Sequence, residues 1–154
     1  MATDLAEIAY EASQRALDKQ ERLLDEIRSR TGLLLAAASL AASFLGRPAL
    51  KGEPAAFAVL ALIAFALSLA TSIYVLLPKE DLVFSLIGSN LYERLYEFRT
   101  DIPEVHRRLA YDLDRFWDAN DRAMQRVLWG FRISATSLAL EIVLLLVGAT
   151  GTLF

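Results

Sequence analysis

Cysteine is absent from the 154-residue chain, which excludes a disulfide framework, a thiol nucleophile and a thiolate metal site. Histidine occurs once, at His106, so zinc ligation or a Ser-His-Asp arrangement would have almost nothing to use. Excess basic charge is lacking too. The formal net charge is −3 and the pI is near 5.2, against the basic footprint of a nucleic-acid binder. There is no Gly-rich phosphate loop and no dinucleotide fingerprint. No pair of residues has the spacing of an acid–base couple, so the expectation is a non-enzyme with no catalytic residue, metal or resident cofactor. The first thirty residues are rich in acid and lack a short apolar core, unlike a secretory signal peptide. Insertion through the first span is expected instead.

What is present is apolar surface in blocks. The chain is 55% hydrophobic with a mean hydropathy of +0.37, yet 23% of it is charged, and the two populations are segregated along the sequence. The length allows one domain, residues 1–154. Residues 1–30 read as a cytosolic segment, helical from residue 4, with Leu5, Ile8, Ala12, Ala16, Leu24 and Ile27 near helical spacing. Thr31 to Gly46 is free of charge and forms the first expected span. At about 24 Å it falls short of a hydrocarbon core of roughly 30 Å, a shortfall that snorkelling Arg28, Arg30 and Arg47 can cover. Pro48, Gly52 and Pro54 mark a tight connection over Arg47–Pro54. Ala55 to Leu77 is an unbroken apolar run of about 35 Å as a helix, the second span, closed by Pro78 and Lys79-Glu80-Asp81.

Residues 78–128 are expected to be cytosolic helices. The first covers 82–99, with Leu86, Tyr92, Leu95, Tyr96 and Phe98 as its apolar or aromatic members. Asp101 as N-cap, Pro103 in the first turn and Glu104 in capping-box position predict a helix start. Nothing breaks the pattern from there to Gly148, so 102–150 reads as one helix that enters the membrane near Leu128, with 129–151 as the third span. Arg126 and Trp129 sit where interfacial anchors belong. The fold class is therefore all-α: a membrane helical bundle of three transmembrane helices with a cytosolic helical body. Of the 16 Lys and Arg, only Arg47 and Lys51 lie between the first two spans, and none follows Arg132. The positive-inside rule then places the N-terminus and 78–128 in the cytosol and the C-terminus outside.

A seam runs along the last helix. Leu109, Leu113, Phe116, Asn120, Ala123, Val127, Gly130, Ser134, Ser137, Glu141, Leu144, Gly148 and Gly151 alternate steps of three and four, a heptad phase. Its membrane half is small or polar, as helices that approach closely in lipid require. Gly32, Ala36, Ser39, Ser43 and Gly46 suggest such a stripe on the first span, and Ala61, Ala64, Ser68 and Thr71 on the second. These stripes read either as close packing or as the lining of a water path. Glu141 is a carboxyl in mid-span: either a neutral acid bonded to Ser68, Thr71 or Ser43, or a group acting in conduction or gating. Asn120 on a coiled-coil seam reads as a register device or as a ligand contact. Tyr92, Arg94, Tyr96, Arg99, Arg107, Arg108, Arg115, Trp117, Arg122 and Arg126 have the chemistry to grip a phosphate-bearing nucleotide. The interleaved Asp112, Asp114, Asp118 and Asp121 sit at helical spacing, however, and a solvated, ion-paired face explains most of these charges.

The run Arg28-Ser29-Arg30-Thr31-Gly32 before a short Ala/Leu span, Leu76-Leu77-Pro78 at the end of a second, and Trp117-Asp118-Ala119-Asn120-Asp121-Arg122 leading into a third form a layout. It resembles the Pycsar transmembrane effectors of bacterial anti-phage defence, and is similar to SLATT-type membrane effectors. The resemblance covers most of the chain and is one of architecture. It implies a homo-oligomeric effector in the bacterial inner membrane that senses a cyclic pyrimidine nucleotide in the cytosol and then impairs the membrane. Under that implication Arg115, Asn120 and Arg122 become the candidate ligand contacts. Two other classes fit the residues: an adaptor whose 82–128 helices bind a cytosolic partner, and a small ion or proton carrier using Glu141.

Overall fold

The computed structural model describes residues 5–51, 55–79, 82–85, 92–93, 95–98 and 101–150. Among these the chain is all-helical, without strands. Its elements are α1 (Leu5–Lys51), α2 (Ala55–Leu76), a 3-10 turn at Tyr96–Phe98, preceded by helical Tyr92, Glu93 and Leu95, and α3 (Ile102–Thr150). Leu86, Arg94, Arg99, Gly151 and the Gly52–Pro54 stretch lie outside the described residues.

The continuity of α3 follows from its sequence. The Asp101 carboxylate accepts the Glu104 backbone N–H (3.2 Å), a side-chain N-cap, and no proline interrupts the helix beyond its first turn. The second half of the expected capping box does not form. Glu104 turns to Arg107 and Arg108 instead, both at 2.8 Å, while the Asp101 N–H donates to the Phe98 carbonyl. These two arginines hold the Glu104 carboxyl below the usual carboxylate range.

The amphipathic residues 4–30 run into the expected first span, and α1 crosses that boundary without a break. Charge changes there while backbone propensity changes little: Gly32 weakens the helix by about 1 kcal/mol, and the leucines and alanines that follow it sustain the helix. The helix also runs past Pro48 to Lys51, so the connection expected from Arg47 is shorter than its Pro/Gly content suggests.

The chain packs as two compact units, each drawn from separate stretches of sequence: residues 1–25 with 79–125, and residues 26–78 with 126–154. In the first unit α1 and α3 lie parallel, because their contacts advance together. Tyr10 stacks on His106 with ring centroids 5.5 Å apart, the Ser13 hydroxyl donates to Asp114 (2.6 Å), and the Gln20 amide donates to the Trp117 carbonyl (3.3 Å). The buried α1 residues Ser13, Leu17, Gln20, Leu24 and Ile27 keep the three-four spacing of a coiled coil. That face departs from the apolar set expected for 4–30. Leu5, Ile8 and Ala12 are exposed, since Ser13 and Gln20 enter the seam through hydrogen bonds that a hydrophobic pattern does not record.

In the second unit α2 and α3 are antiparallel. Ala61 clusters with Leu145, Ser68 and Ser72 reach Ser134, and Val75 and Tyr74 close on Gly130. Small residues set that close approach. Outward-facing Leu62, Ile63, Leu67, Leu140, Val143 and Leu146 leave the unit apolar on its surface, the inverse of a soluble bundle. Both α2 and α3 contain stretches long and apolar enough to cross a membrane, Ala56–Leu76 and part of Ile102–Gly148.

Candidate functional site

The heptad phase read along α3 is the phase the fold buries. Leu109, Leu113, Asn120, Ala123, Val127, Gly130, Ser134, Ser137, Glu141 and Gly148 are all buried, and Phe116 and Leu144 are partly so. Within the second unit this seam is polar. The Ser72 and Ser134 hydroxyls share a 2.6 Å hydrogen bond, and the Ser68 hydroxyl donates to the Ser134 carbonyl (3.2 Å). Ser68, Ser72 and Ser134 are each 1% exposed or less. A hydroxyl buried among alkyl chains is tolerated because it has such partners.

Glu141 breaks that pattern. It lies two turns beyond Ser134 on the same face, about 10 Å along the axis, and is 1% exposed. Neither carboxylate oxygen has a hydrogen-bond partner among the described residues. The bond expected from Ser68, Thr71 or Ser43 is not made. Ser68 is engaged with Ser134, the Thr71 hydroxyl donates back to the Leu67 carbonyl (2.8 Å), and Ser43 donates to the Ser39 carbonyl (2.7 Å).

The remaining lining residues divide. Ser72 takes the inward place on α2 expected of Thr71, which is only partly buried. On α1 the expected stripe is turned outward. Gly32, Ala36, Ser39 and Ser43 are exposed, whereas Thr31 and Ala38 are buried. Ser39 donates to the Leu35 carbonyl (3.0 Å) and Thr31 to that of Ile27 (2.7 Å). In an Ala/Leu/Ser helix several faces are small enough to pack, and composition does not select among them.

In the first unit Asn120 is fully buried and fully used. Its side-chain oxygen accepts the Val83 N–H (3.0 Å), and its amide donates to the Val83 carbonyl (2.8 Å) and to Gln20 (3.4 Å). The two bonds, to the N–H and the carbonyl of the one residue Val83, tie up backbone groups that a helix would use. Leu82–Phe84 are not helical, which corrects the start of the helix expected over 82–99, while Tyr92, Glu93 and Leu95 are helical. Gln20, unmarked in the sequence reading, is Asn120's seam partner. Arg115 and Arg122 are exposed on α3 and do not join Asn120's buried bonds. Arg108 lies over the Phe98 ring at 3.8 Å and lines a cleft of about 210 Å³ with Leu95, Tyr111 and Asp112. Tyr92 and Tyr96 pair at 5.4 Å beside Glu93. Trp129 is 59% exposed with the Arg132 guanidinium over its ring at 5.5 Å, an aromatic-cation pair of the kind found at membrane interfaces. No group of His, Asp or Glu among the described residues is arranged to hold a metal ion. Comparison with protein-family models, curated proteins and solved structures gives no match.

Proposed function

We propose that the chain is a three-span protein of the bacterial inner membrane that acts as a membrane-permeabilising effector: sealed at rest and opened by a cyclic pyrimidine nucleotide sensed in the cytosol. Connectivity supports the third span. Residues 10–20 of α1 pack against 106–117 of α3, and Asn120 of α3 holds Val83, so these segments lie on one side of a membrane. If α2 crosses once between them, its first residues lie on the opposite side, and only residues 26–54 can take the chain there. The distribution of basic residues supports a cytosolic location for the shared side, with the C-terminus outside.

The observation that carries the effector reading is the buried polar seam Ser68, Ser72, Ser134, Ser137 and Glu141 inside a unit whose outer surface is apolar. A unit built only to anchor needs no buried acid, and insertion of one costs roughly 2.5–3.5 kcal/mol or more. Separation of the helices, or their assembly with further copies, would expose this seam as a polar lining. The resemblance to Pycsar effectors supplies the class of trigger, and the exposed Arg115 and Arg122 are the contacts proposed for it, with Asn120 acting by way of its hold on Val83.

The test is dye release from liposomes bearing the full-length protein, with cyclic nucleotides added one at a time. Vesicles sealed until a cyclic pyrimidine nucleotide is added, and a leak lost in Ser137→Leu and Glu141→Leu at equal incorporation, are the expected results. Vesicles sealed under every nucleotide would overturn the reading in favour of an adaptor. Constitutive leak would overturn the sealed resting state.

A further inference from the structure

The α3 seam spends its polar groups economically everywhere except at Glu141. The described stretches around it supply no counter-charge. Residues 31–44 of α1 and 56–76 of α2 contain no Asp, Glu, Lys, Arg or His, and Glu141 is the sole such residue in 133–148 of α3. Tyr74 is the one other titratable side chain in those stretches. The charged groups that bound these stretches along the sequence are Glu26, Arg28 and Arg30 before the first, Arg47, Lys51 and Glu53 between the first and second, Lys79 after the second and Arg132 before the third; Glu26 and Arg30 pair with each other. Arg132 lies nine residues from Glu141, about 13 Å along the axis. An ionised carboxylate held in such surroundings carries a large desolvation penalty. A bound metal cation would need several oxygen ligands, and the Ser68, Ser72 and Ser134 hydroxyls are already engaged with one another. The small cation that needs no further ligand is the proton.

We propose that Glu141 is a proton-binding site that locks the bundle shut: the carboxyl is occupied in the sealed state and gives up its proton when opening brings water to it. The direction of the linkage follows. The sealed state holds one proton more than the opened state, so the opening equilibrium rises with pH, by up to about tenfold per unit for a single site. Glutamine in its place mimics the occupied acid in shape and neutrality, and removes that dependence. The lock rests on the permeabilising reading, whereas proton occupancy does not.

Two measurements on the full-length protein in liposomes separate these levels. Infrared spectra taken from about pH 5 to about pH 9 should show a protonated-carboxyl band at neutral pH, where exposed carboxyls near pKa 4 are fully ionised. That band should be missing from Glu141→Gln. Spectra of the two proteins that match at neutral pH would overturn the site itself. Nucleotide-triggered dye release should then climb with pH in the native protein and stay level in Glu141→Gln. A level profile in the native protein would overturn the lock while leaving the permeabilising reading intact. Absence of release at any pH would overturn both the lock and that reading, with the infrared band still deciding proton occupancy.

Discussion

Replacing Gly130 with alanine tests the α2–α3 contact at its tightest point. A Cβ at that position would lie 3.0 Å from Val75 Cγ2 and 3.2 Å from Tyr74 Cδ1. Val75 is fully buried and β-branched, so it has little freedom to yield. Overpacking of this kind costs about 1–3 kcal/mol, and the helix propensity gained by alanine over glycine returns about 1 kcal/mol. The expected net loss is therefore about 0–2 kcal/mol, and Gly130→Val should exceed it. Gly32 is the matched control, since nothing lies within 4 Å of its Cβ position. There the propensity term acts alone, and Gly32→Ala should stabilise by about 0.5–1 kcal/mol. Equilibrium unfolding in mixed detergent micelles would measure both. Val75→Ala added to Gly130→Ala should show positive coupling, because the two changes share one contact. If Gly130→Ala stabilises as much as Gly32→Ala, the close approach of α2 and α3 is wrong.

Other perturbations address the first unit and the seam. Asn120→Leu should destabilise by about 1–3 kcal/mol, because Val83 loses the partners of its N–H and carbonyl; hydrogen exchange at Val83 should rise with it. Asp101→Ala should cost about 0.5–2 kcal/mol of α3 stability, and Asp101→Asn much less, as read by unfolding midpoints. Glu104 is held ionised by Arg107 and Arg108, so its folded-state pKa lies below the unfolded one. Its contribution is present above about pH 4.5 and is lost as pH falls through the folded value; amide exchange over 102–106 should accelerate in that window and not in Glu104→Gln. Ser134→Val should destabilise by leaving the Ser72 hydroxyl without its 2.6 Å partner, whereas Ser39→Val, on an exposed position, should be close to neutral.

The sequence carried the long-range order of α3 well, because a three-four alternation held over many turns fixes which face is covered whatever residue occupies it. Asp101 was legible for a related reason: a cap acts within four residues of itself. Legibility fails where a partner is distant or is backbone. Asn120's bonds run to the backbone of a residue 37 positions away, and Gln20's to a carbonyl 97 residues away, so neither could be told from a ligand contact or a surface amide. Ser39, Ser43 and Thr71 failed differently. A hydroxyl in a helix can satisfy itself on a carbonyl one turn back, and so gives no sign of facing inward or outward. The residue type of Glu141 marked it as a candidate, while its lack of partners among the described residues emerged only from the packing.

The most direct test of the three-span arrangement is the side on which each terminus lies. Full-length protein carrying a protease-cleavable tag at each end, digested in right-side-out and in inverted inner-membrane vesicles, reads both at once. The N-terminal tag should be cut only in inverted vesicles and the C-terminal tag only in right-side-out ones. Cleavage of both tags from the same face would leave an even number of spans and contradict the passage of residues 26–54 through the membrane.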